Sequence, residues 1–319
     1  QGAEVAPAEG DAGIDGGGVT PAAALTQSPP RSRTRRLGAF TLHALEAGTQ
    51  RLDGGAMFGV VPKPLWEKRI PADARNRIPL GLRCLLVETG DELVLIETGL
   101  GNKENEKFRD IYGVDNAPAD PSYPDRLQEL IAEAGFRPED VGVVIDTHLH
   151  FDHAGGNTFR DGDEQVRVSF PNARYVVQAG EWEWAHRTNE RTSASYLPDN
   201  YEPVMAAGQL DLVEGDLEIV PGISVMRTPG HCPHHQSVLV RSGGETACFL
   251  ADVIPTFAHL PLPWIMGYDV EPLVTLESKR ALLKRATGER WLLVSTHDPF
   301  TAWGYAVADG KGVRLEGSA

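Results

Sequence analysis

From Leu37 onward, short apolar and β-branched runs alternate with stretches in which apolar residues recur every three to four positions. RCLLVETGDELVLIETG, residues 83–99, holds two continuous apolar runs separated by Gly90-Asp91, which predicts a hairpin whose strands are buried on both faces. Over 122–135, Leu127, Leu130, Ile131 and Ala134 follow helical spacing, with Ser122 placed to cap the start and Gly135 to end it. VGVVIDT, 141–147, reads as a buried strand. Further strands are predicted at 174–178, 223–227, 236–241, 247–251 and 291–295, and a helix over 273–286 stopped by Gly288. Strands interleaved with helices predict an α/β layered domain.

The chain before Leu37 has another character. Residues 1–36 are rich in Gly, Ala and Pro without hydrophobic periodicity and are expected to form a flexible leader, leaving 37–319 as one domain. Arg31, Arg33, Arg35 and Arg36 at its end read as a solvated charge run. The formal charge of -15 and a pI near 5.1 argue against nucleic acid as a partner. No apolar run of about 18 residues is present, so membrane insertion is not expected. Three cysteines are too few for a disulfide framework. The first residue is Gln1, which leaves the compartment open between the cytoplasm and export with an upstream signal removed.

Candidate chemistry is concentrated in DTHLHFDHAGG, 146–156. In an extended chain His148 and His150 point the same way while Leu149 points inward, which makes a two-pronged chelate. Asp152 and His153 then offer a hard oxygen and an imidazole to a second ion, and Ala154-Gly155-Gly156 is expected to let the backbone turn sharply. Histidine and carboxylate without thiolate suit zinc foremost, with iron, manganese or cobalt as other occupants. The local set is incomplete, and three later stretches can complete it: TPGHCPHH with His231, FLADV with Asp252 and STHDP with His297. Each follows an apolar strand candidate. An isolated histidine is usually a hydrogen-bonded core or surface residue; five histidines and two carboxylates so distributed would bind two metals. His43, His186, His234, His235 and His259 fall outside the set, although His235 and His259 could line a pocket, and Cys232 reads as a small packed residue.

H-x-H-x-D-H followed by downstream His, Asp and His resembles the metallo-β-lactamase superfamily, over roughly residues 37–319. The resemblance implies an αββα sandwich, two mixed sheets flanked by helices, with the metals at one edge. It implies a first metal on His148, His150 and His231, a second on Asp152, His153 and His297, and Asp252 bridging both. ETGLG, 97–101, stands where the family usually shows Asp-Thr-Gly, so Glu97 would orient a ligand imidazole from an arm one methylene longer.

Two divalent ions about 3.5–4 Å apart can hold a bridging water, lower its pKa and deliver hydroxide at neutral pH, so the implied reaction is hydrolysis. Segments 52–68 and 255–269 combine aromatic, Met and Pro residues without clear periodicity, which suits loops over a site. Both are similar to a branch of the superfamily that includes quorum-quenching N-acyl homoserine lactonases. The expected pocket wall is Met57, Phe58, Trp66, Phe257, Trp264 and Met266. Better-known small lactonases place a tyrosine shortly after the bridging aspartate, where this chain reads Asp252-Val253-Ile254-Pro255; Tyr268 or His259 would substitute. The resulting expectation is a lactonase acting on a small-molecule lactone or ester, with metal-bridging hydroxide as nucleophile, Asp252 as bridge and Asp152 as proton shuttle. A phosphotriesterase or arylesterase on the same scaffold and a non-catalytic metal-binding protein are the alternatives. The resemblance also suggests a homodimer.

Overall fold

Leu85 and Val87 point to one face of their strand and Cys84 and Leu86 to the other, and all four are buried. A strand covered on both faces must lie inside a layered structure. The computed structural model describes residues 31–310 and 312–318 and shows those layers. The first seven-stranded sheet runs β1 (Ser32–Leu37), β2 (Phe40–Asp53), β3 (Arg77–Glu88), β4 (Leu93–Ile96), β5 (Val143–Ile145), then, after a separate small hairpin of β6 (Thr158–Arg160) and β7 (Val166–Val168), β8 (Arg174–Gln178) and β9 (Leu210–Val213). The second seven-stranded sheet follows chain order: β10 (Leu217–Val220), β11 (Ile223–Arg227), β12 (Gln236–Ser242), β13 (Glu245–Phe249), β14 (Leu292–Val294), β15 (Trp303–Asp309) and β16 (Gly312–Glu316). Both sheets are mixed: β4, β5, β8 and β9 pair in parallel, as do β13 and β14, and the other pairs are antiparallel.

Three cores follow from the period-two alternation. Between the sheets lie Leu85, Val87, Val94 and Ile96 from one and Val225, Val238, Val240, Phe249 and Val294 from the other. Outside the first sheet, Leu86 and Leu95 pack against Leu127, Leu130 and Ile131 of helix Arg126–Glu133. Outside the second, Leu239, Cys248 and Leu293 pack against Leu282, Leu283 and Ala286 of helix Pro272–Gly288. The result is the αββα sandwich expected. Among the described residues no helix is long and apolar enough to cross a membrane.

The hairpin at 83–99 and the strands near 143, 174, 223, 236, 247 and 292 form as predicted, with small shifts at their ends. Three details differ. Ser32–Leu37, expected as the end of the leader, is an edge strand paired to β2 and carrying Arg33, Arg35 and Arg36; charge on an edge strand limits further pairing. Residues 1–30 of that leader lie outside the described residues. The helix at 122–135 starts later, because Asp125 rather than Ser122 caps it, accepting from Gln128 N. Gly155 and Gly156 sit where other strand ends crowd in. Gly155 has an ordinary helical φ of -60°, but a Cβ there would stand 2.3 Å from Leu100 O, and one at Gly156 would stand 2.2 Å from Thr98 O. Close approach, not turning, demands the glycines.

That contact generates a stability prediction. Gly156→Ala forces backbone apart and should cost about 2 kcal/mol in urea unfolding, the scale of overpacking; Gly162→Ala, with nothing within 4 Å of its Cβ, should stay within about 0.5 kcal/mol. Equal midpoints for the two variants would refute the packing explanation.

Candidate metal centre

The residues singled out from sequence sit where strands end. Glu97 follows β4, the 146–153 stretch follows β5, His231 lies between β11 and β12, Asp252 follows β13 and His297 follows β14. Because β4 and β5 are parallel, and β13 and β14 likewise, each pair delivers its loops to the same edge of its sheet. His150 has extended backbone, and the short helix Phe151–Ala154 that follows it carries Asp152 and His153.

Two groups of donor atoms form, each with its atoms within 4.8 Å of one another: His148, His150 and His231, and Asp152, His153 and His297. In the first, His150 Nδ1 lies 3.0 Å from His148 Nε2 and 3.1 Å from His231 Nε2. In the second, His153 Nε2 and His297 Nε2 are 3.2 Å apart, each 3.7 Å from an Asp152 oxygen. Asp252 lies between the groups. Its Oδ2 is 3.2 Å from His231 Nε2, while its Oδ1 is 3.1 Å from His297 Nε2 and 3.5 Å from His153 Nε2.

Hydrogen bonds on the far side of each ring fix which nitrogen points inward. His153 Nδ1 donates to Glu97 Oε1 at 2.8 Å, and His148 Nδ1 donates to Thr147 Oγ1 at 3.0 Å, whose hydroxyl donates in turn to Glu97 at 2.5 Å. His297 Nδ1 donates to Gly81 O at 2.7 Å, and His231 Nδ1 to Asp269 Oδ1 at 3.0 Å. The inner Nε2 atoms of these four rings therefore carry lone pairs. Glu97, His148 and His153 also lie close enough to form a donor group of their own, but one Glu97 oxygen already takes both Thr147 and His153, so Glu97 orients ligands. Glu97 and Ala251 adopt φ of 61° and 47°, unusual for residues with side chains, and both stand at this centre.

The electrostatics favour a cation. Burial, reinforced by neighbouring imidazoles, holds His148 and His150 well below the ordinary histidine pKa and so neutral. Burial opposes charge on His153 too, but Glu97, Asp252 and Asp152 raise it well above the usual value; Asp252 likewise raises His231 and His297 against their burial. Burial would raise Asp252, yet His153, His231 and His297 hold it well below the usual carboxylate range. The carboxylates thus favour positive charge among these rings, charge that metal ions on the inward nitrogens would supply. Asp252 Oδ1 is buried and accepts no well-directed hydrogen bond. On that orphaned oxygen, and on the inward lone pairs, the donor set fits two divalent ions.

A cavity of about 390 Å³ opens over Asp152, Asp252, His150, His231 and His297. Leu52, Met57, Leu80, Phe151 and Met266 make an apolar side, with Tyr112, Tyr268, Arg191, Thr192 and Ser195 adding polar groups. Of the expected wall, Met57, Met266 and Tyr268 are there. Phe58, Trp66, Phe257, His259 and Trp264 do not line it. Phe58 stacks between Trp66 and His259, with centroids 5.3 and 4.4 Å away, and Trp264 meets Phe58 edge-on at 5.7 Å. His259 is fully buried, with Nε2 2.9 Å from Met57 O and Nδ1 2.8 Å from Thr256 Oγ1. His235 is buried as well, accepting from Asp252 N at 3.2 Å, and Cys232 is packed with its thiol on Glu181. Two residues at the centre went unnoticed in the sequence: Asp269, behind His231, and Gln50, whose amide donates to Asp152 Oδ2 at 2.5 Å.

A sequence profile described as the metallo-beta-lactamase superfamily matches residues 78–297. An N-acyl homoserine lactonase of Bacillus cereus is 33% identical over 171 residues, 52% of this chain and 61% of that protein, so the match spans about three-fifths of the relative's length. The crystal structure of a probable metal-dependent hydrolase from Staphylococcus aureus superposes with a TM-score of 0.80 at 31% identity, covering 89% of this chain and all of the other (100%). The dizinc quorum-quenching lactonase AidC, solved with a product, shares the fold with a TM-score of 0.74 at 19% identity, over 91% of this chain and 98% of that one.

Removing the carboxylate behind His231 tests the outer support. Asp269→Asn should weaken binding of the ion on His148, His150 and His231 by about 10–100-fold, measured by competition with a chromophoric chelator. Unchanged affinity at both ions would show that Asp269 does not support the ligand.

Proposed function

The chain belongs to the metallo-beta-lactamase superfamily, and from that premise we propose that it is a dinuclear metal-dependent hydrolase that opens N-acyl homoserine lactones. The observation that carries this reading is the Asp252 carboxylate, one oxygen toward each donor group, at the floor of a cavity with an apolar side. The Bacillus relative named for that activity supports the substrate class. A storage or binding protein would seal its metals, whereas here Asp152, Asp252 and His150 face a cavity large enough for a small ligand.

His148, His150 and His231 would hold one ion, Asp152, His153 and His297 the other, and Asp252 both. Bound there, the ions would supply the Lewis acidity that activates water at neutral pH and polarises an ester carbonyl. The protein's own groups do the rest. Leu52, Met57, Leu80 and Met266 receive an acyl tail and exclude water from it. Tyr268, which lines the cavity, would donate to the substrate carbonyl: partial burial and nearby acidic groups raise its phenol to about 12, so it keeps its proton at neutral pH. Water adds its oxygen to the lactone carbonyl carbon and gives one proton to Asp152; the ring C–O bond then breaks, the leaving alkoxide takes that proton from Asp152, and the new carboxylic acid ionises, releasing one proton to solvent. Asp152 would suit the shuttle because it lines the cavity while Gln50 holds one of its oxygens.

Proton release on adding homoserine lactones of several chain lengths to zinc- or cobalt-loaded protein tests the reading, with metal-stripped protein and Asp252→Ala as controls. Metal-dependent release, lost in the variant together with bound metal, is expected. An Asp252→Ala protein that keeps two metals and full rate would refute the site. Turnover only of phosphotriesters or aryl esters would keep the centre and move the substrate. Tyr268→Phe should lower kcat about a hundredfold or more with metal content unchanged, since a lost hydrogen bond to developing charge is worth a few kcal/mol; an unaltered kcat removes Tyr268 from the chemistry.

A further inference from the structure

The segment 255–271 starts just past Asp252 and ends beside His231, where Val270 N donates to His231 O at 3.0 Å and Glu271 N to Gly230 O at 2.9 Å. Apart from a single 3-10 turn at Phe257–His259 it has no regular structure. Yet it carries Met266, Gly267 and Tyr268 of the cavity and Asp269 behind His231. An irregular segment with so many tasks needs fixed points, since it has no ladder of its own. Facing the cavity, Gly267 N donates to Ala56 O at 2.8 Å and the Arg191 guanidinium to Gly267 O at 2.7 Å.

On the far side the fixed point is Lys279. It lies on helix Pro272–Gly288, only 1% exposed, and its Nζ donates to Pro261 O and to Trp264 O, both at 2.8 Å. A lysine is rarely buried, because desolvating an ammonium is costly. Here the arm spans from the helix to a tight turn closed by Trp264 N on Pro261 O at 2.9 Å. Trp264 in turn meets Phe58 edge-on, and Phe58 stacks on His259, whose ring is bonded to Met57 O. The aromatic residues that do not touch the cavity therefore form a backing between Lys279 and its apolar wall.

We propose that Lys279 is a positioning residue: by clasping the Pro261–Trp264 turn from outside it holds the aromatic backing, and so sets the width of the acyl-tail side of the cavity. The acyl-tail part rests on the lactonase reading above. Burial lowers the amine to about 7 although Asp269 pulls it upward. Charged or neutral, the amine keeps two N–H groups for two carbonyls, so the clasp survives loss of the proton.

Lys279→Met keeps the length of the arm and removes its donors. In metal-loaded protein, hydrogen exchange of peptides within 256–269 should quicken while peptides within 146–157 stay unchanged. With butanoyl and decanoyl homoserine lactones, KM for the long chain should rise about tenfold, the effect of leaving one buried carbonyl unpaired, with kcat, metal content and short-chain KM nearly constant. Unchanged exchange overturns the clasp. An equal rise in both KM values, or a fall in kcat alone, overturns its role in tail selection. If the wild-type protein opens neither lactone, the substrate reading fails and takes the tail role with it, while exchange still decides the clasp. Should the Met variant not fold, Lys279→Gln, which keeps an amide donor, must show the same changes at smaller size, and its indifference would overturn the proposal.

Discussion

The constraint on which the structure turns is a carboxylate kept charged where water scarcely reaches it. Asp252 is 6% exposed, and an ionised group so placed requires compensating charge. Three imidazoles from three loops close around it and would hold cations against it, and the carboxylate's own backbone N–H is taken by His235. Asp252 belongs to the second sheet and His153 to the first, so the charge can be satisfied only when the sandwich has closed. Fold and site are in this sense one problem: the cores between and outside the sheets bring the strand ends together, and the buried charge penalises any arrangement that misaligns them.

Alignment is carried outward by hydrogen bonds. Each inward nitrogen of His148, His153, His231 and His297 is selected by a partner on the opposite side of the ring. Those partners are themselves held. Gly81 of β3 donates its N–H to His297 O at 2.9 Å and accepts from His297 Nδ1 at its carbonyl, so β3 grips the His297 loop through both backbone groups. Two residues on, the buried Arg83 donates to Glu46 at 2.7 Å, to Ser295 O and to Asp298 O at 3.0 Å, tying the first sheet to the loop that leaves the second. A buried guanidinium is tolerated because a carboxylate and carbonyls meet its fork. Such multiply tied loops can hold donor atoms close together before any ion arrives.

How much of this was legible in the sequence depended on the range of the contact that made it. Strands covered on both faces announce themselves as continuous apolar runs, so the hairpin at 83–99 and the short strands that deliver ligands were readable. His-x-His-x-Asp-His was readable because local backbone geometry alone sets how its side chains diverge. The long β2 was not anticipated: its apolar pattern is broken by polar residues, and its register shifts between Glu46 and Thr49. β1 was hidden by its arginines, which suit an edge strand as well as a tail. Gln50 and Asp269 reach the centre only through tertiary packing, one from mid-strand and one from an irregular loop, and nothing in their neighbours' spacing marks them. The aromatic residues of 52–68 and 255–269 were placed in the right region and one layer too far inward, because composition indicates that a segment packs without saying which side of it faces the cavity.

That misplacement has a physical lesson. A cavity wall built of large rigid rings would leave little room above the donor atoms, whereas Met57 and Met266, unbranched and polarizable, can adapt their shape. Stiffness is needed one layer back, where Phe58, Trp66, His259 and Trp264 stack and interlock. Ligands at strand ends are constrained by the buried carboxylate and cannot move without unbalancing charge. The wall answers to packing and to a few hydrogen bonds, through a loop whose ends are fixed beside Asp252 and His231 and whose middle is bonded to Ala56, Arg191 and Lys279. Donor set and wall are thus separable: a substitution in the aromatic layer can reshape the apolar side of the cavity while every donor atom stays where the charge requires it.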